Sequence, residues 1–135
     1  MLLSTALAGL GALQLSGLSS GQLQQLGSAQ VGALSSVALS GLSTTQVGLL
    51  SSAQLVALST ANIRGLSSVQ LGAISTSKVA ALESQDVAAL SSVQVAGFST
   101  PQLGQWVTGQ VQALGSGAIK GLSTDQLQGL GTSNI

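Results

Sequence analysis

From Leu2 onward a large apolar residue recurs at every eighth position without insertion or deletion: Leu2, Leu10, Leu18, Leu26, Leu34, Leu42, Leu50, Leu58, Leu66, Ile74, Leu82, Leu90, Phe98, Trp106, Leu114, Leu122 and Leu130. With that residue counted as position one, the unit reads Leu, Ser, Ser/Thr, variable, Gln, Val/Leu/Ile, variable, Ala/Gly. Position six is aliphatic in every copy, and position three is Ser or Thr in every copy but Ala12. A period of eight matches neither the 3.6 residues of a straight helix nor the 3.5 of a coiled coil, and the recurring glycines and serines would weaken a long helix at each repeat. Eight residues cannot bury an apolar patch alone, so the units must stack and share one core, which is the logic of a solenoid. The register runs unbroken, so residues 1–135 are expected to form one repeat domain of about seventeen units.

A position restricted to two hydroxyl residues points to helix capping, because the side-chain oxygen of Ser or Thr accepts a hydrogen bond from an orphaned N–H of the first turn. On this reading the structural caps are the position-three residues Ser52, Thr60, Ser68, Thr76, Thr100 and Thr124. Pro101 follows Thr100 directly, where a helix accepts proline at its first position. Each unit then holds a helix of about six residues, about 9 Å long, running from position four to the next leucine. The glycines at position two, Gly11, Gly27, Gly115 and Gly131, suit the residue just past a helix C-terminus, which is commonly left-handed. Where Ser occupies position two and Gln position five, as in Ser51-Ser52-Ala53-Gln54, a capping box is the alternative and moves the boundary by one residue.

Helices this short are unstable alone. Positions six and one of the next unit are three apart and share a face, giving a two-residue apolar patch for packing against neighbours. The fold class expected is therefore all-α, a solenoid of very short helices. From Val31 to Val111 position six tends to alternate between a β-branched residue and Leu, with Val87 as an exception, which points to two helices per coil. About eight such coils at interaxial spacings of roughly 8–10 Å would make a rod on the order of 70–85 Å long. The alternative fold is a parallel β-solenoid, which also suits Ser- and Gly-rich short repeats. It is disfavoured because positions one and six, separated by an odd number, would point to opposite faces of a continuous strand.

Departures from consensus are few. Phe98 and Trp106 take consecutive leucine slots beside Pro101 and several glycines, so the two rings are expected to fill the apolar axis locally in place of leucine side chains. Lys78, Glu83 and Asp86 form the only cluster of charge, expected to be a solvated local ion pair of little energetic weight. Asp125, at the start of a helix, and Lys120 and Arg64, toward C-terminal ends, agree with the helix dipole. Met1 to Gly9 lacks a basic region and is already in register at Leu2, which favours a first repeat over a signal peptide.

Composition excludes most chemistry. The chain has no His, Cys or Tyr. Thiol nucleophiles, imidazole bases and the usual zinc sites are absent with them. Glu83, Asp86 and Asp125 are the only side-chain carboxylates, and no feature of the sequence points to a cleft that would pair two of them. No enzyme activity, no cofactor and no metal site is expected. Three basic residues cannot track a phosphate backbone, which argues against nucleic acid as a partner. No run is long and apolar enough for a membrane span.

Leu42-Ser43-Thr44-Thr45-Gln46-Val47-Gly48-Leu49 and the neighbouring units resemble the Leu-Ser/Thr-Thr-x-Gln-Val-x-Ala-Leu tracts of very large bacterial secreted and surface proteins of haemolysin-like and adhesin-like type, and the likeness covers the whole chain. The resemblance implies a bacterial extracellular or cell-surface location. The Asp- and Gly-rich nonapeptides that bind calcium in such proteins are absent here, so calcium is not implied.

Together these readings give a structural element, a fibre-forming subunit or a rigid spacer or adhesin stalk, whose principal partner is a second copy of itself, with other cell-surface or matrix components behind it. Leu2, Leu130 and Ile135 are the residues expected at assembly ends, because the array begins and stops in register there without an atypical capping repeat. The alternative is a surface-recognition module for ice or polysaccharide. It needs an ordered exposed row of one residue type, and the position-three hydroxyls would be consumed by capping.

Overall fold

The computed structural model describes residues 4–130. It is built of short helices alone: among the described residues there are α-helical segments such as Ala12–Ser16, Thr44–Leu49 and Ser84–Ala88, the 3-10 segments Ile63–Gly65 and Val79–Ala81, and no strand. The all-α solenoid is therefore the fold, and the parallel β-solenoid is not. Segments of four to six residues are typical, each starting at position three and ending between positions six and eight.

The helices pack with those three units away. Ala12–Ser16 lies against Ser36–Ser40, Ser28–Ala33 against Ser52–Val56, Ser84–Ala88 against Thr108–Ala113, and Thr100–Gly104 against Thr124–Gly129. One coil thus has three sides and 24 residues, not the two sides that the Val/Leu alternation implied. Both β-branched and γ-branched residues are fully buried at position six on every side, so the alternation does not mark two distinct sides. With three units per coil the array spans between five and six coils, a rod of roughly 45–55 Å at ordinary interaxial spacing.

Positions six and one fill the axis of this prism. Every position-six residue from Leu7 to Leu103 is at most 1% exposed, and every position-one residue from Leu34 to Trp106 at most 4%. They form one continuous apolar column. Phe98 and Trp106 join it as expected, edge to face with ring centroids 5.0 Å apart at 74°. The column frays at its ends: Leu10, Leu18 and Leu26 are only partly buried, and Ile119 and Leu127, both at position six, are 40% and 37% exposed.

Small residues at position eight set how closely the coils approach. A methyl group on Gly41, Gly65, Gly97 or Gly121 would overlap the backbone of Ala12, Ser36, Ser68 or Ser92, in each case the first residue of a helix in the coil before. None of these glycines has a left-handed backbone; they are there because nothing larger fits. Gly65→Ala or Gly97→Ala should therefore cost about 1–3 kcal/mol through overpacking. Gly21→Ala, inside helix Ser20–Gln24 with open space around it, should stabilise by about 0.5–1 kcal/mol. Urea unfolding of the three variants checks the contrast.

Candidate functional site: a buried carboxamide ladder

The helix N-termini fall one residue earlier than expected. Ser51, Ser67, Ser99 and Ser123, at position two, are the N-caps, with extended backbone and side-chain oxygens accepting from the backbone N–H of Gln54, Gln70, Gln102 and Gln126. Ser52, Ser68, Thr100 and Thr124 are instead the first helical residues, and Thr60 and Thr76 lie in the turns opening their units. The position-three cap assignment is thus replaced by the capping box. Its physical reason lies at position five: a glutamine three residues after the cap returns the bond, its Oε1 accepting from the backbone N–H of position two, as from Ser51 at 3.0 Å and Ser67 at 2.8 Å. Pro101 is consistent with this shift, because it falls at the second helical residue, whose N–H the box leaves unused. Gly11, Gly27 and Gly115 are N-caps as well, with φ of −91°, −78° and −79°, not the left-handed backbone expected of a C-terminal glycine, and Gly131 lies outside the described residues.

The other half of each carboxamide carries the larger consequence. Gln54 Nε2 donates to the carbonyls of Leu23 at 2.8 Å and Leu26 at 3.0 Å. Gln70 reaches Leu39 and Leu42, Gln94 reaches Ile63 and Leu66, Gln102 reaches Leu71 and Ile74, and Gln110 reaches Val79 and Leu82. The offsets in these bridges are 31 and 28 residues, and Gln126 reaches Ala96 and Phe98 at 30 and 28, so each amide joins the start of its own helix to carbonyls at and just past the end of a helix in the preceding coil. The position-six carbonyl already accepts from the backbone N–H three residues on, as Leu23 does from Leu26, and the amide adds a second bond to it, while the position-one carbonyl lies just past the helix end. One planar group thus serves the N-terminus of one helix and the C-terminal end of another, and Gln54, Gln70, Gln102 and Gln110 are nearly or fully buried in doing so. Asn62, one methylene shorter, still spans the gap, bonding Ser59 N–H on one side and the Val31 and Leu34 carbonyls at 3.2 and 3.1 Å on the other.

Two charged residues occupy the same slot and test what it requires. Lys78 is a pure donor, and its Nζ lies 3.5 Å from the Gly48 carbonyl. Asp86, when ionised, is a pure acceptor. It is buried, 3% exposed, and its Oδ2 has no hydrogen-bond partner. By register its neighbours are the carbonyls of Leu55 and Leu58, which need a donor. Burial, with the added charge of Glu83 at position two of the same unit, pushes the Asp86 carboxyl from 3.8 up to about 6. The ion pair expected among Lys78, Glu83 and Asp86 does not form: Lys78 turns to the Gly48 carbonyl and Asp86 turns inward.

Of the expected assembly ends, Leu2 and Ile135 lie outside the described residues. Leu130 is buried at 3%, and the aliphatic surface near that end comes from Ile119 and Leu127 instead. Near the other end an open hollow of about 310 Å³ is lined by Leu7, Leu10, Leu18 and Leu26 with Gln22 and Gln30. Among the described residues no group of three or more His, Cys, Asp or Glu side chains converges, and no helix is long and apolar enough to cross a membrane.

An all-α solenoid of eight-residue units, held coil to coil by an internal row of carboxamides, defines a structural repeat protein. The ALTTAQ repeat matches it over residues 24–60, 52–82, 79–116 and 107–135, and the chain belongs to that family. No curated protein and no solved structure matches the chain significantly.

Ser67→Ala removes a true cap and should cost about 0.5–2 kcal/mol, whereas Ser52→Ala, outside the box, should be nearly silent in the same denaturation assay. For Asp86 the folded state holds its proton to higher pH than the unfolded chain does. Its contribution therefore favours folding in acid and is lost as the pH rises from about 4 to about 7, by at most about 3 kcal/mol. Asp86→Asn supplies the missing donor, and should raise the melting temperature at pH 7.5 and flatten the pH dependence of melting.

Proposed function

We propose that this chain is a non-enzymatic structural element, a rigid solenoid that serves as a spacer or fibre-forming subunit outside the bacterial cell or on its surface, and that associates head to tail with further copies of itself. The observation that carries this reading is the direction of its polar groups. The side chains best able to recognise a ligand, the carboxamides of position five, point inward and are used to join coil to coil. Meanwhile the two end regions leave position-one and position-six residues open that every interior coil buries. A surface made of the same groups as the internal coil interface is complementary to that interface. The open arrangement of such a heterologous contact leads to linear growth. The lack of net charge at neutral pH leaves no repulsion to oppose it. Location rests on the likeness to bacterial secreted and surface tracts, and stalk or adhesin partners rest on the same likeness.

One observation favours the second reading, a face that recognises ice or polysaccharide. Because the caps are at position two, the hydroxyls of Ser52, Thr76, Thr100 and Thr124 are free of capping and exposed, stacked at successive coils on one side of the prism. Thermal hysteresis and glycan-array binding of the purified protein address it, and a blank result in both removes it.

For the structural reading, sedimentation velocity and negative-stain microscopy over a hundredfold range of concentration should show rods that lengthen as concentration rises. A stable monomer throughout would overturn it.

A further inference from the structure

The position-five slot is built around carbonyl oxygens. Gln70 Nε2 donates to three of them in the coil below, those of Leu39 at 3.0 Å, Ser40 at 3.3 Å and Leu42 at 2.7 Å, at positions six, seven and one. Gln46 meets the same set at Leu15, Ser16 and Leu18. What the carbonyls receive is a positive pole, and one unit before Asp86 it is a full cation, the Lys78 ammonium 3.5 Å from the position-seven carbonyl of Gly48. Asp86 brings an anion to such a set. By register its carbonyls are those of Leu55, Val56 and Leu58, so carboxylate and carbonyl oxygens converge with no hydrogen between them when the acid is ionised.

A buried carboxylate is stable when it is paired or when it coordinates a metal. Asp86 is 3% exposed and its Oδ2 has no hydrogen-bond partner, while Lys78, the nearest base in sequence, is turned to Gly48. A second carboxylate stands beside it. Glu83 is the N-cap of the same helix, is exposed, and makes no capping bond with its side chain. N-cap and position-five side chains meet across the box, as Ser99 Oγ and Gln102 Oε1 do at 3.3 Å, so Glu83 can close the slot from its solvent side. We propose that the Asp86 slot binds one divalent cation through oxygen alone: the Asp86 and Glu83 carboxylates on one side and the carbonyls of Leu55, Val56 and Leu58 on the other. Two carboxylates balance the double charge. Hard oxygen donors select ions of the calcium and magnesium kind, and a set rich in carbonyls suits calcium, because magnesium keeps several waters and demands a strict octahedron. The ion then stands where an amide nitrogen stands in the other units, and it ties helix Ser84–Ala88 to the coil beneath. This site is independent of head-to-tail association.

The test is thermal melting of the full chain at pH 7.5, after dialysis against a chelator, in calcium, magnesium or sodium chloride at matched ionic strength. Calcium at about a hundred times its dissociation constant should raise the parent's melting temperature by about 5–10 °C, and calorimetric titration should count one ion per chain. Asp86→Asn carries its own donor; it should bind calcium at least tenfold more weakly and melt at one temperature with or without it. Asp125→Asn removes a carboxylate outside the slot and should respond as the parent does. If Asp86→Asn loses the helical circular dichroism signal, Asp86→Lys takes its place, putting an ammonium in the slot as Lys78 does. A parent that calcium leaves unshifted, an equal shift in the Asp86 variant, or an equal response to sodium overturns the site.

Discussion

The carboxamide at position five is the group on which the rest of this structure depends. Helices of four to six residues have more unpaired backbone groups than paired ones, and burying them would ordinarily cost more than their apolar faces return. A primary amide carries an acceptor and two donors in one plane. Set three residues after a cap, it faces its own helix start with the oxygen and the previous coil's helix end with the nitrogen. The solenoid is thereby hydrogen-bonded along its axis by side chains, a role that backbone pairing fills in β-solenoids.

Packing follows from that frame. With the amides fixing the angular relation of successive coils, positions six and one are brought to the axis and the column fills with Leu, Val and Ile in either branching pattern. The glycines at position eight then permit the backbone-to-backbone approach seen at Gly65 and Gly97. The slot tolerates replacement according to donor chemistry more than size: Asn62 and Lys78 both keep a bond to the coil below, while Asp86 has the right length and the wrong polarity.

Much of this was legible in the residues and some was not. The eight-residue register, the short helices and the apolar axis follow directly from positions one and six. The cap was misplaced by one residue because positions two and three are both rich in serine, and the stricter of the two, position three, is not the one whose hydroxyl is used. Glutamine was the better guide: it stands at position five in ten of seventeen copies, while the flanking positions four and seven vary freely. A polar residue held that constant between variable neighbours is engaged. The number of sides per coil was hidden for a different reason. Alternation of Val and Leu is a packing preference with a small free-energy difference, whereas the turn angle between units is fixed by hydrogen bonds that cross 28 to 31 residues and leave no local signature.

The geometry of the ladder also determines how such a rod would respond to tension. Its helices lie across the long axis, so a pull along that axis is resisted by the amide bridges between coils and not by the helices themselves. Each coil that gives way frees 24 residues, about 80 Å of extended chain, while the coils beyond it keep their own bridges. Tethered between two bodies, the array would yield one turn at a time and rewind when slack, a molecular spring whose stiffness is written in its glutamines.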